Sequence, residues 1–119
     1  MAEKFDYSLT AVSVDDPAAP GMFYKAISGY KLVAVEITLG NEADEVLNVN
    51  PLYAYLVDNR GYVYAAELAG TEKDQLAAME LAKGEKVKGW VGFTIPEDAI
   101  PAAIKFQLGA LSSDFSASG

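Results

Sequence analysis

Apolar and polar residues alternate with a period of two over most of this chain, and the clearest run is Gly84–Glu97, GEKVKGWVGFTIPE. Val87, Gly89, Val91, Phe93 and Ile95 share one parity, while Lys88, Trp90, Gly92 and Thr94 share the other. Pro96 ends the run. Such alternation, rich in β-branched and aromatic residues, predicts a half-buried strand. Tyr30–Leu39 repeats the pattern, with Val33, Val35, Ile37 and Leu39 on one face and the more polar Tyr30, Leu32, Ala34, Glu36 and Thr38 on the other. One buried and one solvated face suits an antiparallel sheet.

Two further runs, Leu52–Asp58 and Tyr62–Glu67, flank Asn59-Arg60-Gly61. A short loop ending in glycine suits a type I turn with a bulge, which sets Leu56 opposite Tyr64 and Asp58 opposite Tyr62. In that register Leu52, Ala54, Leu56, Tyr62 and Tyr64 share one face and Tyr53, Tyr55, Val57, Val63 and Ala65 the other. Phe5–Val14 reads as a first strand and Ala103–Ala110 as the last, with Ile104, Phe106 and Leu108 on one face. Asp15–Gly21 is a loop punctuated by Pro17, Pro20 and Gly21, and Met22–Ser28 fits a short strand or an irregular cover. Thr71–Lys83 is the one helix-like segment, with Thr71 as N-cap and Gly84 past its end. It reads best as a short helical turn near residues 72–77 followed by strand from about 78. The small, polar stretch 111–119 reads as a tail or linker.

About seven or eight short strands, frequent turns and at most one helical turn predict an all-β, immunoglobulin-like antiparallel β-sandwich. No room exists between the strands for the helices of an α/β fold. The 119 residues suffice for one domain, with a core over about 5–110. At 51% hydrophobic, the composition fits a globular core.

The chain has no cysteine and no histidine. Disulfides, thiolate metal sites and Ser–His, Cys–His or zinc-hydrolase chemistry are therefore excluded. The expectation is a non-enzyme. A net charge of −8 opposes binding to nucleic acid and to anionic membrane surfaces. The opening Met1-Ala-Glu-Lys-Phe-Asp has no apolar signal core, which fits either a cytoplasmic chain or one whose leader lies elsewhere.

Three motifs in order resemble a known family. They are Gly29-Tyr30-Lys31-Leu32-Val33 running to Gly40-Asn41, the hairpin Leu56-Val57-Asp58-Asn59-Arg60-Gly61-Tyr62-Val63-Tyr64, and Lys83-Gly84-Glu85 running to Phe93-Thr94-Ile95-Pro96. Together they resemble a bacterial and archaeal domain family of unknown function. Its members are mostly secreted proteins and lipoproteins with an immunoglobulin-like sandwich similar to that of a mycobacterial immunoprotective extracellular protein. The resemblance implies an extracellular or cell-surface location, and it implies no catalytic residues.

Candidate chemistry is sparse. Tyr53 and Tyr55, in a hairpin that also holds Tyr62 and Tyr64, would suit a protein or sugar partner if exposed. Trp90, the single tryptophan, lies on the opposite parity to Val91 and is either a binding anchor or packed against the 15–28 loop. Asp15 and Asp16 in one loop, and Glu42 and Asp44 in another, would share a calcium ion if both loops met at one end. No calcium-loop spacing is present. Asp58 and Glu36 are a conceivable carboxylate pair that nothing in the sequence brings together. Lys83, Lys86 and Lys88 read as charge protecting a sheet edge. These readings predict a non-catalytic interaction module. The alternatives are a subunit that self-assembles by strand addition or a calcium-dependent domain.

Overall fold

Antiparallel pairing organises the chain. The computed structural model describes residues 7–19, 27–67, 73–106 and 111–114. Nine strands run through the described residues: β1 (Tyr7–Asp15), β2 (Tyr30–Asn41), β3 (Leu47–Val49), β4 (Ala54–Asp58), β5 (Val63–Ala65), β6 (Met79–Leu81), β7 (Lys86–Pro96), β8 (Pro101–Phe106) and β9 (Leu111–Asp114). They form a three-stranded sheet β1-β2-β7, a two-stranded sheet β3-β6 and a four-stranded sheet β5-β4-β8-β9. The architecture is an open, immunoglobulin-like antiparallel sandwich.

The alternation of β2 and β7 explains their placement. Val33, Val35, Ile37 and Leu39 pair with Phe93, Val91, Gly89 and Val87. Every apolar side chain in this set except Val87 is fully buried, and Val87 packs against the same cluster. From the facing sheet Ala54, Leu56, Ile104 and Phe106 close the core. Burying one such large side chain is worth about 1.5–3 kcal/mol, so this inner face dominates stability. The other face of β2 is not simply polar. Leu32 and Ala34 are covered by Ala18 and by the half-buried Trp90, because the backbone N–H of Ala18 donates to the Leu32 carbonyl at 2.8 Å and holds the 16–19 segment across the strand.

The hairpin register follows the Asn59-Arg60-Gly61 turn: Leu56 pairs with Tyr64, and the Asp58 N–H donates to the Tyr62 carbonyl at 2.9 Å. Three expectations are corrected. Pro51–Tyr53 is a 3-10 turn, not the start of a strand, because the Asn50 side chain accepts the Leu52 N–H and Pro51 supplies helical backbone at the first position. Residues 73–77 are not helical; Gln75 instead bridges Trp90 in parallel, and pairing with the edge of β7 outweighs local propensity. The strand expected from about 78 is present as β6. Leu111–Asp114 is no linker but strand β9, paired with β8 from Ala103 to Phe106. Residues 5–6, 22–26, 71–72 and 107–110 of the expected elements lie outside the described residues.

The free edge of β7 is covered by a strap. Glu67 N–H donates to the Gly92 carbonyl at 2.7 Å, Leu76 N–H to the Trp90 carbonyl at 2.9 Å, and Trp90 N–H to the Asp74 carbonyl at 2.9 Å. Gly89 makes this approach possible. A Cβ built there would lie 2.5 Å from the Leu76 Cα.

Candidate functional site

The three residues singled out for binding do not converge. Tyr55 precedes the inward Leu56 and so stands on the outer face of the four-stranded sheet, half-buried. Tyr53 belongs to the 3-10 turn, and its ring meets the buried Phe106 edge-on at 6.0 Å, which makes it a lid at the rim of the core. Trp90 precedes the inward Val91 and stands on the outer face of the opposite sheet. There it packs on Leu32 and Ala34, with the Lys73 ammonium 5.0 Å from its ring centroid. Of the hairpin tyrosines, Tyr55 stands on the outer face of the four-stranded sheet among smaller apolar neighbours, Tyr64 lies on the opposite face beside Leu56, and Tyr62 is exposed at the turn.

Those neighbours form a continuous face. Val57 pairs with Val63 and with Ala103, and Tyr55 pairs with Ala65 and with Lys105. Residues directly opposite in a ladder point to the same side, so these six positions line the outer surface of β5, β4 and β8. Val63 is 48% exposed, and none of the six is a carboxylate.

The four acidic candidates lie at opposite ends of the molecule. Tyr7 pairs with Asn41 and Asp15 with Ala34, so β1 carries Asp15 and Asp16 to one end while Glu42 and Asp44 follow the far end of β2. At about 3.3 Å per residue the two loops stand roughly 25 Å apart. A shared ion is thus ruled out by register. Lysines occupy three of the carboxylates: Lys31 lies 2.9 Å from Asp16, Lys83 lies 2.9 Å from Asp44, and Lys73 lies 3.4 Å from Asp15. Among the described residues no group of three or more acids is arranged to hold a metal.

Two buried polar residues, Asp58 and Asn41, are turn locks. Asp58 is 2% exposed, and its Oδ1 accepts the N–H groups of Arg60 and Tyr62, both at 2.9 Å, while its Oδ2 accepts the Tyr64 hydroxyl at 2.9 Å. Burial by itself would raise the carboxyl pKa. The Tyr62 N–H, the Tyr64 hydroxyl, the Arg60 N–H and the Arg60 charge outweigh it and hold the group below its ordinary 3.8. Burial, then the Asp58 carboxylate, push the Tyr64 phenol above its ordinary 10.0. A carboxylate with its lone pairs engaged and its pKa moved away from neutrality is a poor general base. Glu36 stands on the other sheet, paired with Trp90, so the two carboxylates form no catalytic pair. Asn41 is 1% exposed, and its amide donates to the carbonyls of Glu45 and Leu81 at 2.8 Å and accepts the Ala43 N–H at 2.9 Å. The signal was present in both sequences, an Asp-x-x-Gly turn and an Asn closing a long apolar strand.

A recess of about 130 Å³ opens beside Asn41 between Ser8, Glu42 and Lys86. It is below the roughly 300 Å³ at which pockets hold organic ligands. Among the described residues every buried side-chain nitrogen and oxygen has a partner. Buried polarity here is spent on architecture.

The described residues thus define an immunoglobulin-like sandwich whose buried polar groups fix turns. The chain belongs to the DUF4352 family, a domain of unknown function, with the match spanning residues 2–117. In three dimensions it is similar to MPT63, a secreted protein of Mycobacterium tuberculosis, with a TM-score of 0.64 and 13% identity over 91% of this chain and 80% of that one. It is also similar to ycdA, a lipoprotein candidate of Bacillus subtilis, with a TM-score of 0.69 and 13% identity over 92% of this chain and 37% of that one. A third likeness is to the yjhA protein of Bacillus subtilis, with a TM-score of 0.62 and 17% identity over 95% of this chain and 81% of that one. At these identities the likeness is one of fold. No curated protein matches the chain.

Proposed function

We propose that this chain is a non-catalytic interaction module of the extracellular space or cell envelope. It binds a protein through the outer face of β5, β4 and β8. The observation that carries the reading is the composition of that face. On a chain of net charge −8, Tyr55, Val57, Val63, Ala65 and Ala103 form an apolar surface whose one charge is Lys105. Contiguous outward apolar surface of this kind marks interaction sites. The secreted and lipoprotein-candidate proteins of like fold support the location, and the absence of histidine and cysteine supports a non-catalytic role.

The test is a photo-crosslinking phenylalanine analogue at position 55, irradiated on intact cells that produce the protein. The expected result is one discrete adduct on the outside of the cell, abolished by Val57→Lys with Val63→Lys. An adduct found only in the cytoplasm overturns the location. An adduct unchanged by the two lysines, or none at all, overturns the face.

A further inference from the structure

The end of the sandwich beyond Tyr30, Asp58 and Pro96 carries a second apolar surface that the reading above does not use. Tyr30 pairs with Pro96, the Glu97 N–H donates to the Gly29 carbonyl at 3.0 Å, and the Asn59 N–H donates to the Ile100 carbonyl at 2.8 Å. Three turns, 27–30, 59–62 and 97–100, are thereby brought side by side at this pole. They expose Ile27 (56%), Tyr30 (46%), Tyr62 (62%) and Ile100 (58%).

These side chains stand on fixed backbone. The Tyr30 N–H donates to the Ile27 carbonyl at 3.0 Å, and the Ala99 N–H to the Pro96 carbonyl at 3.0 Å. The Asp58 carboxylate pins the third turn through the N–H groups of Arg60 and Tyr62. The Arg60 guanidinium lies 5.9 Å from the Tyr62 ring centroid and 3.8 Å from the Asp98 carboxylate. Pre-ordered groups lose little freedom on binding, which is where much of an interface's cost lies. Tyrosine and arginine beside aliphatic anchors are the residues that dominate binding energy at interfaces.

Charge selects the partner. Glu97 and Asp98 are exposed at the rim of this pole, and the whole chain carries −8. Attraction over the Debye length therefore favours a basic surface, and an anionic lipid surface is repelled. We propose that this pole docks a protein segment presenting an apolar or aromatic side chain flanked by lysine or arginine.

The test pans a phage-displayed random peptide library on the full chain and measures the enriched peptides by fluorescence anisotropy. The expected winners carry an aromatic or aliphatic residue between basic ones, and their affinity falls as salt is raised. Tyr62→Ser with Ile100→Ser, both at exposed positions, should weaken binding by about tenfold or more. Glu97→Lys with Asp98→Lys should weaken it through charge alone. The outer-face variant Val57→Lys should leave it unchanged, so this surface and the outer face stand or fall separately. Melting temperatures equal to the parent's confirm that each variant is folded. Acidic winners, no enrichment, or winners indifferent to the pole variants overturn the proposal. So does binding to zwitterionic phosphatidylcholine vesicles that Ile100→Ser abolishes, which would make the pole a lipid anchor.

Discussion

Gly89→Ala tests whether the strap is part of the fold. The added methyl would lie 2.5 Å from the Leu76 Cα, 2.8 Å from its nitrogen and 3.1 Å from its Cβ. Ordinary carbon contacts begin near 3.5 Å, so the strap must retreat by about 1 Å. The bonds from Leu76 N–H to Trp90 and from Trp90 N–H to Asp74 are 2.9 Å, and a 1 Å retreat carries both beyond hydrogen-bonding reach. Their loss costs about 1 kcal/mol each. Disturbing Leu76, which is 2% exposed, adds an overpacking cost of about 1–3 kcal/mol. Removing a glycine returns about 0.4–1 kcal/mol through the unfolded chain. The net expectation is a destabilisation of about 2–4 kcal/mol, equivalent to a melting temperature lower by roughly 8–16 °C for a domain of this size. Urea titration followed by the fluorescence of Trp90, the single tryptophan and the next residue in the chain, reads both global stability and the local contact. Thr10→Ala on the exposed side of β1 serves as a control, expected within about 0.5 kcal/mol of the parent. A Gly89→Ala protein as stable as the parent, or more so, would refute the seating of Leu76 against β7.

Asn41→Leu deprives two carbonyls and one N–H of partners and should cost about 2–4 kcal/mol, with faster amide exchange across residues 42–46. Phe93→Ala, at the centre of the core, should cost about 3–5 kcal/mol in the same titration. Because the Asp58 pKa is depressed on folding, its contribution is present above 3.8 and is lost as pH falls through the folded value. The melting temperatures of the parent and of Asp58→Asn should accordingly converge as the solution is acidified below that point, and a gap that persists or widens would contradict the assignment. Calcium or a chelator should leave the melting temperature unchanged, since a ligand specific to the folded state must raise it.

The two longest strands were legible because one parity of each is apolar throughout: Val33, Val35, Ile37 and Leu39, and Val91, Phe93 and Ile95, were assigned to one face each and are buried there, whereas the burial of Leu32 and Ala34 on the other face of β2 depends on the 16–19 segment and Trp90. The turn at Asn59-Arg60-Gly61 fixed the pairing of Leu56 with Tyr64 through local backbone preference alone. Elements that depend on distant partners were not legible. Residues 73–77 have good helix formers but are held extended by β7, some fifteen residues downstream. Leu111–Asp114 has too few apolar residues to announce a strand, and pairing with β8 makes it one. The unfilled inward position at Gly89 was the available sign of the strap, since a glycine inside a strand often marks a close backbone approach. Of the binding candidates, the parity of Trp90 opposite to Val91 was readable, whereas the face taken by Tyr55 was not, since both faces of its hairpin are apolar. Nor was their placement on opposite sheets, because it depends on how the sheets face one another.

The pairing of β2 with β7 also sets when the fold can appear. Tyr30 must wait for Pro96, and Ala54 for Phe106, before β2 and β4 gain their distant partners β7 and β8. Contacts so distant along the chain delay folding, because loop-closure entropy is lost before burial offsets it. A chain emerging from the ribosome therefore has at most the pairings of β1 with β2, of β3 with β6 and of β4 with β5 until residues 86–106 have followed. Export machineries that accept only unfolded polypeptide would find this domain in an acceptable state until those residues are made.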